Sequence, residues 1–254
     1  MEAFAYSNSP WPIRPDLPEA FRYTWEKLAN SGTWLTGEQR LAVANEVRNA
    51  SGCALCAKRK ASLSPFSASP SGVDDDHDGA HGPLSKLQVD VAHRLTTDAP
   101  RLTESWLDNC VEQGVSREMY VEILSIVVAT VAIDAFHRSL GFELEVLPVP
   151  VPGEPSRYRP AAAKEGPAWV PMIDVAEIDD ADADIFSGMQ RSANVIAAMS
   201  LVPDAVRLLR AQSSVMYLEM SDIGNPASNG DRALSRPQIE LIAGRVSAIN
   251  DCFY

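Results

Sequence analysis

The sequence predicts an all-α protein, and three observations carry that prediction. Apolar residues recur at the spacing of amphipathic helices in several segments, and strand-like alternation is scarce. In addition, Thr36 with Gln39, and Ser235 with Gln238, have the spacing of a capping box, a side-chain exchange that starts a helix. With 254 residues, 46% of them hydrophobic, the chain is long enough for one large or two modest domains with cores of their own.

Taken in order, LTGEQRLAVANEVRNA (Leu35 to Ala50) places Leu41, Ala44, Val47 and either Leu35 or Ala50 on one face of a helix. The stretch from Ser64 to Pro83 is rich in Ser, Pro, Gly and Asp and is predicted to be a mobile loop. Pro83 to Gly114 supplies two helical segments separated at Asp98-Ala99-Pro100. Arg117 to Leu140 is apolar almost all round and ends on Gly141, which marks it as the central helix of a bundle. From Glu145 to Ala168 there is enough proline to forbid a regular helix or a central strand. The segment therefore predicts a linker at 145–168 between domains at 1–144 and 169–254. Phe186 to Asp222 and Arg232 to Tyr254 then read as helical again.

The net charge of −12, carried partly by runs such as DDDHD (Asp74 to Asp78) and EIDDADADI (Glu177 to Ile185), repels phosphate backbones and anionic membranes. No nucleic-acid or membrane partner is expected. The N-terminal residues lack the pattern of a secretory signal. The longest apolar run, Ile123 to Ile133, is short against the roughly 20 residues of a membrane crossing. The expected location is the cytoplasm. There are four cysteines, and Cys53-Ala-Leu-Cys56 has a spacing that in a cytosolic chain suggests redox work or metal.

An internal repeat organises the functional reading. LTGEQRLAVANEVRNASGC aligns without gaps on LSRPQIELIAGRVSAINDC at a constant offset of 199 residues, so Cys53 falls on Cys252. Each copy is a capped amphipathic helix, a short polar turn and a cysteine where a new helix would begin. In the second copy Leu234 and Ile239 can staple the cap, and Ile239, Ile242, Val246 and Ile249 line one face. A helix N-terminus stabilises a thiolate, so a cysteine placed there is chemically meaningful.

The second copy, L-S-x-x-Q-x-E-L-I-A-x-x-V-S-A-x-N-x-C-x-Y, resembles the core motif of the alkylhydroperoxidase D-like branch of the carboxymuconolactone decarboxylase superfamily. That resemblance implies two such helical bundles in one chain, the second incomplete. It also implies reduction of hydrogen peroxide or organic hydroperoxides, with regeneration by a dithiol reductant of protein or lipoyl type. Family members assemble through helix packing, so a homo-oligomer is expected. The family motif runs C-x-x-C-x-x-x-H, with a glutamate twelve residues before the first cysteine. Glu240 matches the relay glutamate and Cys252 the first, resolving cysteine. The chain stops directly before the position of the second, peroxide-attacking cysteine. Three explanations stay open: a trimmed chain, an inactive C-terminus, or a selenocysteine codon read as a stop, which would make the reaction selenol-dependent.

The first copy departs in the complementary way. Cys53 and Cys56 are both present, but Leu41 stands at the glutamate position and Lys60 at the histidine position. Lys58, Arg59 and Lys60 could instead stabilise a thiolate electrostatically. The catalytic candidates are thus Cys252, Glu240, Cys53 and Cys56. No metal, flavin or nucleotide motif is present and no cofactor is expected. Zinc stays open as a minor reading, because His77 and His81 add an H-x-x-x-H after C-x-x-C, with a spacing loose for a finger. Cys110 lies in an apolar context and reads as core. His93 and His137, on predicted helices, read as packed side chains without chemistry. Two further readings compete with the peroxidase: a decarboxylase-like enzyme, whose branch of the superfamily does not depend on C-x-x-C, and a catalytically inactive helical scaffold.

Overall fold

The computed structural model describes residues 3–64, 76–77, 81–189 and 191–252. The ordered elements are helices: α1 (Asp16–Ala29), α2 (Gly37–Ala50), α3 (Ala54–Ala61), α4 (Lys86–Thr97), α5 (Glu104–Glu112), α6 (Arg117–Leu140), α7 (Asn194–Ala197), α8 (Pro203–Met216), α9 (Met220–Ile223) and α10 (Arg236–Ile249). Among the described residues there is no strand, only an isolated bridge between Lys164 and Met172. The all-α prediction holds. Most of the loop predicted at Ser64 to Pro83 lies outside the described residues.

Local chemistry explains where the helices start and stop. Thr36 caps α2 by accepting from the Gln39 N–H, while Gln39 Oε1 accepts from the Thr36 N–H at 3.0 Å. Ser85 and Gln88 make the same reciprocal pair at α4. At α10, Gln238 Oε1 accepts from the Ser235 N–H at 2.9 Å. Each box satisfies N–H groups that a helix start leaves without an internal partner. α6 ends at Gly141, whose φ of 72° is a left-handed conformation that glycine reaches without steric cost. Asp98-Ala99-Pro100 separates α4 from α5 through a single 3-10 turn.

α6 is the hub, packed against α1, α2, α4 and α8. By length and composition it is apolar enough to cross a membrane, yet most of it is buried inside the protein. Its buried residues run from Tyr120 to His137, because the helix meets neighbours on several sides. Two carboxylates on it are buried with cations from α2: Glu122 pairs with Arg40, and Asp134 takes a two-pronged bond from Arg48 at 2.8 and 2.9 Å. These pairs lock the register of α2 on α6, because leaving either charge buried and alone would cost several kcal/mol.

The proline-rich segment does not hang free. Trp25 Nε1 donates to the Val146 carbonyl, and the N–H groups of Val151, Ser156 and Arg157 donate to carbonyls of Ala29, Gly32 and Thr33. Gly37 makes this fit possible, since a side chain there would sit 2.1 Å from the Ala29 carbonyl oxygen. One apolar core then runs from Phe4 through Ile123, Ile126 and Ile133 to Ile173, Phe186, Leu201 and Leu208, joining residues on both sides of the segment. α10 behaves differently, with no residue of it buried.

Candidate functional site

The Cys-x-x-Cys pair sits where α2, α3 and α4 converge. After α2 ends, Gly52 and Cys53 donate back to the carbonyls of Asn49 and Ala50, a tight turn that makes Cys53 the N-cap residue of α3. Cys56 follows in the first turn. The far end of α3 is closed by Arg101, whose guanidinium donates to the carbonyls of Arg59 and Ser62 at 2.7 and 2.8 Å. α3 packs on α4, which carries Asp90 and His93 one turn apart toward the cysteines.

Two parallel chains of polar contacts result. In the first, Cys56 Sγ lies 3.3 Å from His93 Nδ1, and His93 Nε2 lies 2.8 Å from Glu46 Oε2. In the second, Cys53 Sγ lies 3.4 Å from His77 Nδ1, and His77 Nε2 lies 2.9 Å from Asp90 Oδ1. His77 Nδ1 is also 3.8 Å from Cys56 Sγ, and the two imidazole rings are 4.0 Å apart centre to centre. The sulfurs and the two Nδ1 atoms all lie within 4.8 Å of one another. The cluster is closed to solvent: Cys53 is 2% exposed, Cys56 4%, His77 7%, His93 0% and Glu46 1%.

The carboxylates orient the rings. An Nε2–H donated to Asp90 or Glu46 leaves Nδ1 directed at sulfur. Burial works against a charged His77, but its bonds to Asp90 and the two cysteines outweigh that and raise its pKa to about 10. His93 moves the other way, lowered by burial and by the neighbouring His77 charge. Burial likewise opposes ionised Asp90, yet His77 and Arg59 hold its pKa below the usual carboxylate value. An imidazolium beside Cys53, at the head of a helix, favours the thiolate there.

The arrangement changes the reading of several residues. His93, expected to be a packed histidine without chemistry, faces Cys56 directly. Glu46 and Asp90 were not among the candidates, although the Asp90-x-x-His93 spacing puts both side chains on one side of the amphipathic helix α4. Where the repeat has Leu41 and Lys60, no Glu or His stands, and the polar groups around the sulfurs come instead from Glu46, His77, Asp90 and His93. Of the expected basic run, Arg59 is engaged with Asp90 rather than with a sulfur. His77 reaches the cysteines but His81 does not pair with it there; His81 Nδ1 is 3.5 Å from Glu46. Cys110 is buried and His137 is packed against Tyr6 and the Glu143 carbonyl, as expected.

Glu240 and Cys252 are placed apart from this cluster's chemistry. Glu240 accepts from the Tyr217 hydroxyl at 2.8 Å and from Arg236 at 2.6 Å, an exposed arrangement that lowers its pKa. Cys252 is exposed just past the end of α10, and its N–H donates to the Ser247 carbonyl. From Glu240 to the end of α10 the helix rises about 14 Å, and the two side chains are not in contact. Comparison of the chain with protein-family models, with curated proteins and with solved structures finds no match in any of the three.

Proposed function

We propose that the chain is a dithiol peroxidase that reduces hydrogen peroxide or organic hydroperoxides at Cys53 and Cys56. The observation that supports this reading most is the unbroken line from Cys56 Sγ through His93 to Glu46, a thiol in contact with a base that is itself oriented by a carboxylate. By the family resemblance Cys56 is the attacking residue. His93 takes the thiol proton, the thiolate attacks the distal peroxide oxygen, and the O–O bond breaks. The proton returns to the leaving alkoxide, giving an alcohol or water and a sulfenic acid on Cys56. Cys53 then displaces the sulfenic oxygen as water and closes a disulfide, with His77 handling its proton. An external dithiol, of protein or lipoyl type, reduces the disulfide and is itself oxidised. Cys252 is the further thiol the resemblance points to, with Glu240 twelve residues before it. The same resemblance makes a homo-oligomer the expected assembly, which light scattering reads directly.

The test is a metal-free, reduced sample mixed with hydroperoxide, with peroxide loss and cysteine state followed together by absorbance and peptide mass spectrometry. Wild type should consume peroxide and form the Cys53–Cys56 disulfide. Cys56→Ser should abolish both, while Cys53→Ser should leave a trappable sulfenic acid on Cys56. His93→Asn should slow the reaction about 100-fold, at the low end for removal of a general base. Cys252→Ser reports the contribution of the second copy. If no hydroperoxide-dependent oxidation appears at any of the three cysteines, the scaffold reading replaces this one.

A further inference from the structure

We infer that Cys53, Cys56, His77 and His93 form a binding site for one zinc ion. This inference stands apart from the peroxidase reading, since it rests on the donor set and its shape and not on any reaction.

The shape is the first argument. In a tetrahedral zinc centre with Zn–S near 2.3 Å and Zn–N near 2.0–2.1 Å, neighbouring sulfur and nitrogen atoms stand about 3.6 Å apart. The observed sulfur-to-Nδ1 distances are 3.3, 3.4 and 3.8 Å, on either side of that value. No donor atom of the four lies more than 4.8 Å from another. A single ion at the centre would therefore meet all four side chains without large movement.

The second argument is what stands behind the ligands. Both imidazoles turn Nδ1 inward and Nε2 toward a carboxylate, Asp90 for His77 and Glu46 for His93. Metal-bound histidines characteristically donate their other N–H to a carboxylate or carbonyl, which fixes the tautomer and strengthens the ligand. Here both do so. Asp90 is anchored in turn by Arg59, and Glu46 by Asn49 Nδ2 at 3.2 Å.

The third argument is topological. His77 comes from a Ser-, Gly- and Asp-rich stretch with little apolar content, yet it is 7% exposed and touches both sulfurs. Twenty residues separate Cys56 from His77 and fifteen separate His77 from His93. A metal held by all four ties the ends of both intervening stretches of chain together at once, which is how ligation contributes folding free energy. Two thiolates and two imidazoles are the donors zinc takes in structural sites, and the absence of an open fourth position among four buried protein ligands fits a closed centre.

Zinc and a disulfide exclude each other at this site, because both use the same sulfur lone pairs. The zinc-loaded chain is therefore the protected, reduced form of the pair.

The test starts from the full chain, reduced and stripped of metal with a chelator, then titrated with cobalt(II) and back-titrated with zinc(II). One equivalent of cobalt should give tetrahedral d–d bands and a thiolate-to-cobalt charge-transfer band, and one equivalent of zinc should bleach them. Asp90→Asn, which keeps the four ligands, should weaken zinc affinity 10–100-fold, and His77→Ala should weaken it more. Should a variant not fold by circular dichroism, wild type alone decides: zinc should protect Cys53 and Cys56 from alkylation while Cys252 still labels. Absence of the charge-transfer band at saturating cobalt, its persistence in Cys53→Ser/Cys56→Ser, or unchanged labelling of Cys53 and Cys56 with zinc would each overturn the site. Peroxide consumption is measured on the metal-free protein, so the two proposals fail separately.

Discussion

At the scale of single residues, the four cysteines occupy three different environments, and environment decides what each thiol can do. Cys53 and Cys56 face imidazoles, Cys252 is open to solvent, and Cys110 is buried between α5 and its neighbours. Burial, with a smaller contribution from the charge of Asp90, pushes the Cys110 thiol up to about 11 from an ordinary value of 9.0. The folded state thus keeps a proton on Cys110 that the unfolded chain gives up at lower pH. Stability is then undiminished below pH 9 and falls as pH rises toward 11, by about 3 kcal/mol at most. Chemical denaturation at a series of pH values should show this alkaline loss, and Cys110→Ala, compared at each pH with its own value at pH 7, should flatten it. An identical alkaline slope in the variant would mean that other groups, Tyr120 among them, carry the loss.

At the scale of elements, α6 and α10 both present apolar faces, with opposite fates. Ile126 on α6 is fully buried at the contact with its neighbours, whereas Leu241 on α10 is 74% exposed and Ile242 53%. Ile126→Ala should cost about 2–5 kcal/mol, the usual range for emptying a packed site. Ile242→Glu should stay within about 0.5 kcal/mol, as for an exposed surface change. Urea unfolding of the two variants measures both. A large loss for Ile242→Glu would show that α10 buries its apolar face in solution. The capping boxes of α2 and α10 were legible in advance, since a cap and its partner lie three residues apart. The exposed face of α10 was not, because amphipathic spacing shows that a face is apolar without showing what covers it.

At the scale of the whole molecule, one core connects residues on both sides of the proline-rich segment, and α8 packs on both α1 and α6. Gln212 of α8 extends this by donating to the Ala129 carbonyl of α6 at 3.1 Å. The packed body from Phe4 to Leu208 is therefore expected to unfold in one cooperative step. Far-ultraviolet circular dichroism and tryptophan fluorescence should give coincident denaturation midpoints. Two separated transitions would mean that the parts before and after the segment are independent domains, the organisation that the proline content by itself suggests.

Sequence alone determined the helical class, the caps of α2 and α10, the breaks at Asp98-Ala99-Pro100 and Gly141, and the Cys53-Cys56 pair. All of these depend on groups within a few residues of one another, where backbone geometry leaves few alternatives. Only the tertiary structure decided what surrounds the two sulfurs. Glu46, His77, Asp90 and His93 come from α2, a loop segment and α4, and they meet because α2 and α4 both pack on α6 while α3 lies across α4. Burying them together is tolerable because each imidazole has a carboxylate and each sulfur has an imidazole. Such satisfaction is a property of packed surfaces, so spacing could point to His77 after the Cys-x-x-Cys pair but not to the pairing of each imidazole with a carboxylate.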